Sequence, residues 1–171
     1  MACALTQDYS FSCDTGSGGV AKEIYLIEDE NITSLTESSG TITVVTKAAG
    51  KIFRKYQLVQ ETASFEEAIA GNIQNGTLFY DQKGSIVINK QNVAMRNEIL
   101  LLAKARLVII IKDNNSTYRL FGRTGGLKLT TGNAGTGTGF SDRNGYTLEF
   151  TGKESELAPF VADAVIATLQ T

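Results

Sequence analysis

The chain has 171 residues, with sixteen basic and eighteen acidic side chains for a formal net charge of −2, and it contains 17 glycines, one proline and no tryptophan. That balance disfavours a dedicated nucleic-acid binder, which would carry a basic stripe. Histidine is absent, which removes the commonest general base, the commonest metal ligand and the histidine-dependent triads, so an enzyme is disfavoured.

The length suits a single domain, 1–171, with enough chain to bury a core. Residues 1–19 are polar, end in Thr-Gly-Ser-Gly-Gly and read as an N-terminal arm. The arm holds both cysteines, Cys3 and Cys13. Two thiols without histidine rarely make a zinc site, and they read as reduced thiols or small hydrophobes. The start lacks the basic and apolar regions of a signal peptide, and no window approaches the roughly 18 apolar residues of a membrane span. The sequons at Asn31, Asn75, Asn114 and Asn115 therefore carry little weight.

In chain order, Lys22–Glu28 reads as a strand, and Asn31–Glu37 pairs with Thr41–Thr46 across Ser38-Ser39-Gly40. Ile52–Gln60 alternates, with Ile52, Arg54, Tyr56 and Leu58 on one side. The run Glu61–Lys90 is the most informative: two long arms meet at Asn75-Gly76, the strongest short-range hairpin signal. In the first arm Ala63, Phe65, Ile69 and Ile73 share one parity, interrupted by Glu67 and Gly71. The other parity, Thr62, Ser64, Glu66, Ala68, Ala70, Asn72 and Gln74, holds no large apolar side chain. Helix competes over Ser64–Ala70 because of its Glu and Ala content. Gly84 suggests a bulge before Ser85–Asn89, where Ile86 and Ile88 face the core.

Asn89 or Asn92 caps a helix over 92–106, with Val93, Arg96, Leu100 and Ala103 as its stripe and Ile99 and Leu102 widening it. Lys104 and Arg106 suit its C-terminal end. Leu107–Lys112 is a β-branched strand, followed by Thr117–Gly122, a short strand Leu127–Thr130, a surface loop Gly132–Gly139 and a strand Tyr146–Thr151. The tail, 153–171, ends in a helix over Phe160–Leu169. The fold class is mainly β (α+β): an antiparallel β-sandwich or barrel-like core with a long hairpin and one flanking α-helix.

Site chemistry is sparse. Gly132–Gly139 lacks the lysine of a phosphate-binding P-loop, and the dinucleotide spacing fails at Phe140 and Asp142. The acidic groups Glu28-Asp29-Glu30, Glu66-Glu67 and Glu154-Ser-Glu156 read as solvated loop charges, apart from Glu66 on the polar strand face. Neither Gly-x-Ser-x-Gly nor Ser-x-x-Lys occurs in a suitable setting. No catalytic, metal-binding or cofactor-binding residues are assigned. A hairpin this long exposes an edge that something must cover or continue, which points to a self-assembling structural subunit.

The element order, a strand-rich start, a very long hairpin 61–90, one helix, further strands and the segment Asp142-Arg-Asn-Gly-Tyr-Thr-Leu-Glu-Phe-Thr-Gly-Lys-Glu, resembles the bacteriophage tail-tube (major tail) proteins and the related tubes of contractile injection systems. The resemblance implies a virion tail protein, assembled in the host cytoplasm into stacked hexameric rings whose hairpins join in one β-barrel. Other tail proteins would be its partners, and DNA would pass through the lumen without specific binding. Thr62, Ser64, Glu66, Asn72 and Gln74 would then line a wetted, net acidic channel. Phe65, Ile69, Ile73, Ile86, Ile88, Ile99, Leu100 and Leu102 would form core or subunit packing. Asp29, Glu30 and Asn31, with Gly135, Gly137 and Gly139, would lie in inter-ring loops. A capsid decoration or head-to-tail connector protein is the alternative within that biology, and a monomeric ligand-binding β domain is the alternative outside it.

Overall fold

β-branched and aromatic residues pack best on a pleated surface, and the chain uses them to build one large sheet folded against itself. The computed structural model describes residues 7–10, 16–72 and 74–171. Cys3 and Cys13, most of the N-terminal arm, and Ile73 lie outside them.

The described residues form eleven strands: β1 (Val20–Glu28), β2 (Ile32–Ser38), β3 (Thr41–Lys47), β4 (Arg54–Gln57), β5 (Ala63–Asn72), β6 (Thr77–Asn89), β7 (Arg106–Asp113), β8 (Tyr118–Phe121), β9 (Leu127–Gly135), β10 (Gly145–Glu154) and β11 (Phe160–Val161). Two helices, α1 (Val93–Leu102) and α2 (Asp163–Ile166), and a 3-10 turn at Asp29–Asn31 complete them. The main strand order is β2-β3-β11-β8-β7-β9-β10-β6-β5, with β4 and β7 flanking β1. The halves join where Arg106 and Leu107 of β7 pair with Lys128 and Leu127 of β9. The sheet does not close into a barrel.

Leu107–Ile111 is a run of five buried residues, because β7 is covered on both faces. Its odd residues Leu107, Ile109 and Ile111 enter a first core with Ile24, Leu26, Phe121, Ile86, Leu148 and Phe150, which the two halves enclose. Its even residues Val108 and Ile110 enter a second core with Ile42, Phe53, Leu120, Val161 and Leu169. Each such side chain contributes about 1.5–3 kcal/mol by burial.

Several elements differ from the sequence expectations. Ser64–Ala70 is strand, not helix, and its ten-residue register with β6 is uninterrupted. Gly84 makes no bulge: it lies opposite Phe65, and a Cβ there would stand 2.3 Å from Phe65 Cε1. The helix ends at Leu102 because Arg106 is taken into β7. Asn92 caps it, its side-chain oxygen accepting from the Met95 N–H at 2.7 Å. The stripe is rotated: Leu102 is buried and Ile99 is half-buried, but Val93 and Leu100 are exposed. Leu100 is therefore not core. The tail forms β11, which pairs parallel with β3 and antiparallel with β8, before the four-residue α2.

Candidate assembly surface

The four strands β9-β10-β6-β5 form a sheet of two unlike faces. Antiparallel register places Glu66 opposite Lys83, and Lys83 opposite Thr151 on its other side. Ser64, Ser85, Glu149 and Thr131 make the row on one side of it, and Ala68, Asp81 and Lys153 the row on the other. Lys128 stands opposite Thr151. All these side chains are exposed or half-exposed. Lys153 lies over the Phe79 ring at 4.7 Å, covering the main aromatic surface on this face.

Of the residues expected to line a channel, Ser64 and Glu66 occupy this polar face. Thr62 precedes β5, and its hydroxyl donates to the Val59 carbonyl at 2.6 Å. Asn72 instead builds the turn: its side-chain oxygen accepts from the Gln74 and Asn75 N–H groups at 2.9 and 3.2 Å. Gln74 lies within that turn, where Gly76 supplies the positive φ of 64°. The face is not net acidic. Glu66, Asp81 and Glu149 are balanced by Lys83, Lys128 and Lys153, residues that only the register brings together.

The opposite face explains the irregularities of the sequence. Glu67 points inward, with its side chain 4% exposed and ion-paired to Arg119. Its other oxygen accepts from Gln82 Nε2 at 2.7 Å and from the Ala158 N–H at 2.8 Å. Gln82, itself buried, accepts from the Gly122 N–H at 2.8 Å through Oε1. A carboxylate on the apolar parity thus ties the middle of the hairpin to β8, the Gly122 turn and the tail. Glu154 is also buried and not a solvated charge, because it accepts from the Thr124 and Gly125 N–H groups at 3.0 Å.

Phe65, Ile86, Ile88, Ile99 and Leu102 belong to or pack against the first core, as expected. Ile69 does not: beyond Glu67 the hairpin overhangs the body, leaving Ile69 68% and Leu78 62% exposed. Asn31 is buried, its Nδ2 donating to Glu28 Oε2 at 2.8 Å, so it shapes its own turn and is withheld from any loop contact. Asp29 faces Arg106, and Glu30 is exposed. Gly135 ends β9 and pairs with Gly145, so half of the expected glycine loop is strand. Gly137 and Gly139 remain in the loop, which Asp142 closes by accepting from the Thr138 and Gly139 N–H groups at 2.8 and 2.7 Å. The N–H bonds of Gly139, then Thr138, hold the Asp142 carboxyl below its ordinary value.

The strand edges differ in how they are protected. The β2 edge carries two register irregularities, between Ile32 and Ser34 and between Thr36 and Glu37, and β4 is four residues long and carries Arg54 and Lys55. Such bulges, shortness and charge blunt an edge against pairing. β5 carries Glu66 and the inward-pointing Glu67, but it is longer and free of bulges, presenting ten residues in continuous register with no partner on its outer side among the described residues. Among the described residues β9 is also unpaired beyond Lys128 on the side away from β10, with one register shift between Leu129 and Thr131.

No protein-family model matches the chain, and neither curated proteins nor solved structures give a significant match. Among the described residues, no helix is long and apolar enough to cross a membrane, and no cluster of metal-ligating side chains occurs.

Proposed function

We propose that the chain is a structural subunit that self-assembles through its sheet edges, and that it forms the tube of a phage-like tail. The observation that carries this reading is the pair of unpaired edges, the continuous ten-residue β5 and β9 beyond Lys128 with its one register shift, on opposite sides of one four-stranded sheet with an uncovered polar face. Two different edges of one sheet make a heterologous contact, which propagates around a ring and closes if the rotation allows. Closure removes every edge in the four-stranded sheets at once. The polar faces then become the wall of one lumen. Balanced carboxylates and ammonium groups there give a passing phosphate backbone no net charge to bind, so DNA would move through without sequence-independent trapping.

Proline tests the edge contact because it removes one backbone N–H. Asn133 and Ala134 are adjacent, exposed residues of β9. One of Asn133→Pro and Ala134→Pro removes an N–H from the ladder with β10, and the other removes an outward N–H. The outward variant is expected to keep the monomer's melting behaviour and to lose large assemblies in sedimentation velocity. Assembly undiminished in both variants would contradict the edge mechanism.

A further inference from the structure

An exposed apolar pair and a part-apolar groove lie at opposite ends of the hairpin. From Ile69 to Tyr80 the sequence carries no charged residue, and Ile69 and Leu78 project from the overhang on the face opposite Ala68 and Ala70. The second feature is a groove of about 630 Å³ between β4 and α1, bordered by Ile88 at the hairpin base. Its apolar wall is Ile88, Met95 and Leu101, and Leu101 is 63% exposed. Its charges cancel, with Glu28 and Glu98 against Arg54 and Lys55. Tyr56, whose hydroxyl donates to Glu98 Oε1 at 3.3 Å, stands between the strand and the helix.

A groove without net charge but with an apolar wall suits an uncharged, apolar occupant better than an acidic or basic peptide. Gln57 and Asn92 on its rim are neutral hydrogen-bonding partners for the amides of Asn72, Gln74 and Asn75. A chain's own tip cannot reach its own groove. β6 runs thirteen residues from the tip to Asn89, next to the start of α1, and at about 3.4 Å per residue this separates the two features by roughly 40 Å. The tip can therefore enter only the groove of another copy. A contact of unlike surfaces at opposite ends repeats by translation and builds an open stack.

We infer that the occupant of the β4/α1 groove is the hairpin tip of a second copy, with Leu78 and Ile69 packed against Leu101 and Met95, and that this contact stacks one ring on the next. The inference rests on the tube reading and specifies its axial contact, whereas the β5 and β9 edges make the lateral one.

The test uses negative-stain electron microscopy of the full chain and of Leu78→Asp and Leu101→Asp, both substitutions at exposed positions. A second arm mixes separately purified Leu78→Cys and Leu101→Cys proteins, each also carrying Cys3→Ser and Cys13→Ser, under an added oxidant. The expected result is tubes for the unaltered chain, single rings with at least a tenfold loss of mean tube length for each Asp variant, and a disulfide-linked dimer only in the mixture. Tubes of undiminished length in both Asp variants, or no linked dimer in the mixture, would overturn the axial contact and leave the lateral reading standing. An unaltered chain that stays monomeric would overturn both.

Discussion

At the residue scale, the informative pair is Glu66 and Glu67, neighbours in sequence with opposite roles. Glu66 is exposed, whereas Glu67 is buried against Arg119, Gln82 and the Ala158 amide. Removing one partner of a buried, hydrogen-bonded charge leaves the others unsatisfied. Glu67→Ala is expected to lower the unfolding free energy in urea by about 2–4 kcal/mol, the upper part of the range being tempered by the partial exposure of Arg119. Glu66→Ala should stay within about 0.5 kcal/mol. Equal effects would contradict the clamp. At Gly84 the Phe65 ring occupies the space of a Cβ, so Gly84→Ala should cost about 1–3 kcal/mol, and less in a Phe65→Ala background. Additive costs in the double mutant would show that the two do not share that space. Asp142 gives a pH signature. Its folded pKa is depressed below 3.8, so its support of the loop is present above about pH 4 and is lost as pH falls through the lower folded value. A carboxyl titration by NMR should find its midpoint below 3.8, and a midpoint at or above 3.8 would remove this account of the loop.

At the element scale, the sequence disclosed what local pattern controls and hid what pairing controls. The alternation of Phe65, Ile86 and Ile88, the β-branched run Leu107–Ile111 and the turn around Gly76 are local signals, and each appears where it was read. Glu67 broke the alternation without revealing why, because its partner Arg119 is 52 residues away, and Gln82 beside it meets Gly122 across 40 residues. The β9 extension to Gly135 was illegible for the same reason: its glycine-rich residues are held by the β10 register and not by propensity. The helix stripe was misplaced because Leu100 and Leu101 are as apolar as Leu102, and only the sheet beneath decides which is covered. Asn92 is a local signal with a measurable value. Asn92→Ala removes the acceptor of the Met95 N–H and is expected to cost about 1 kcal/mol in thermal or urea unfolding. No loss of stability would mean that the α1 start is held by packing alone.

At the scale of the whole molecule, an open sheet with one long unblunted edge is a structure that pairing with other copies would complete. The large groove is an open trough beside α1, and the polar face of β9-β10-β6-β5 is uncovered. Neither the partner edge on β9 nor the charge balance of the polar face was visible in the sequence, because Lys128, Thr131, Glu149 and Lys153 join Glu66 only through the register of four strands. The measurement that tests self-assembly most directly is negative-stain electron microscopy of the purified full chain across a concentration series. Hollow tubes or stacked rings of uniform bore are the predicted result, whereas monodisperse single particles at every concentration would contradict it.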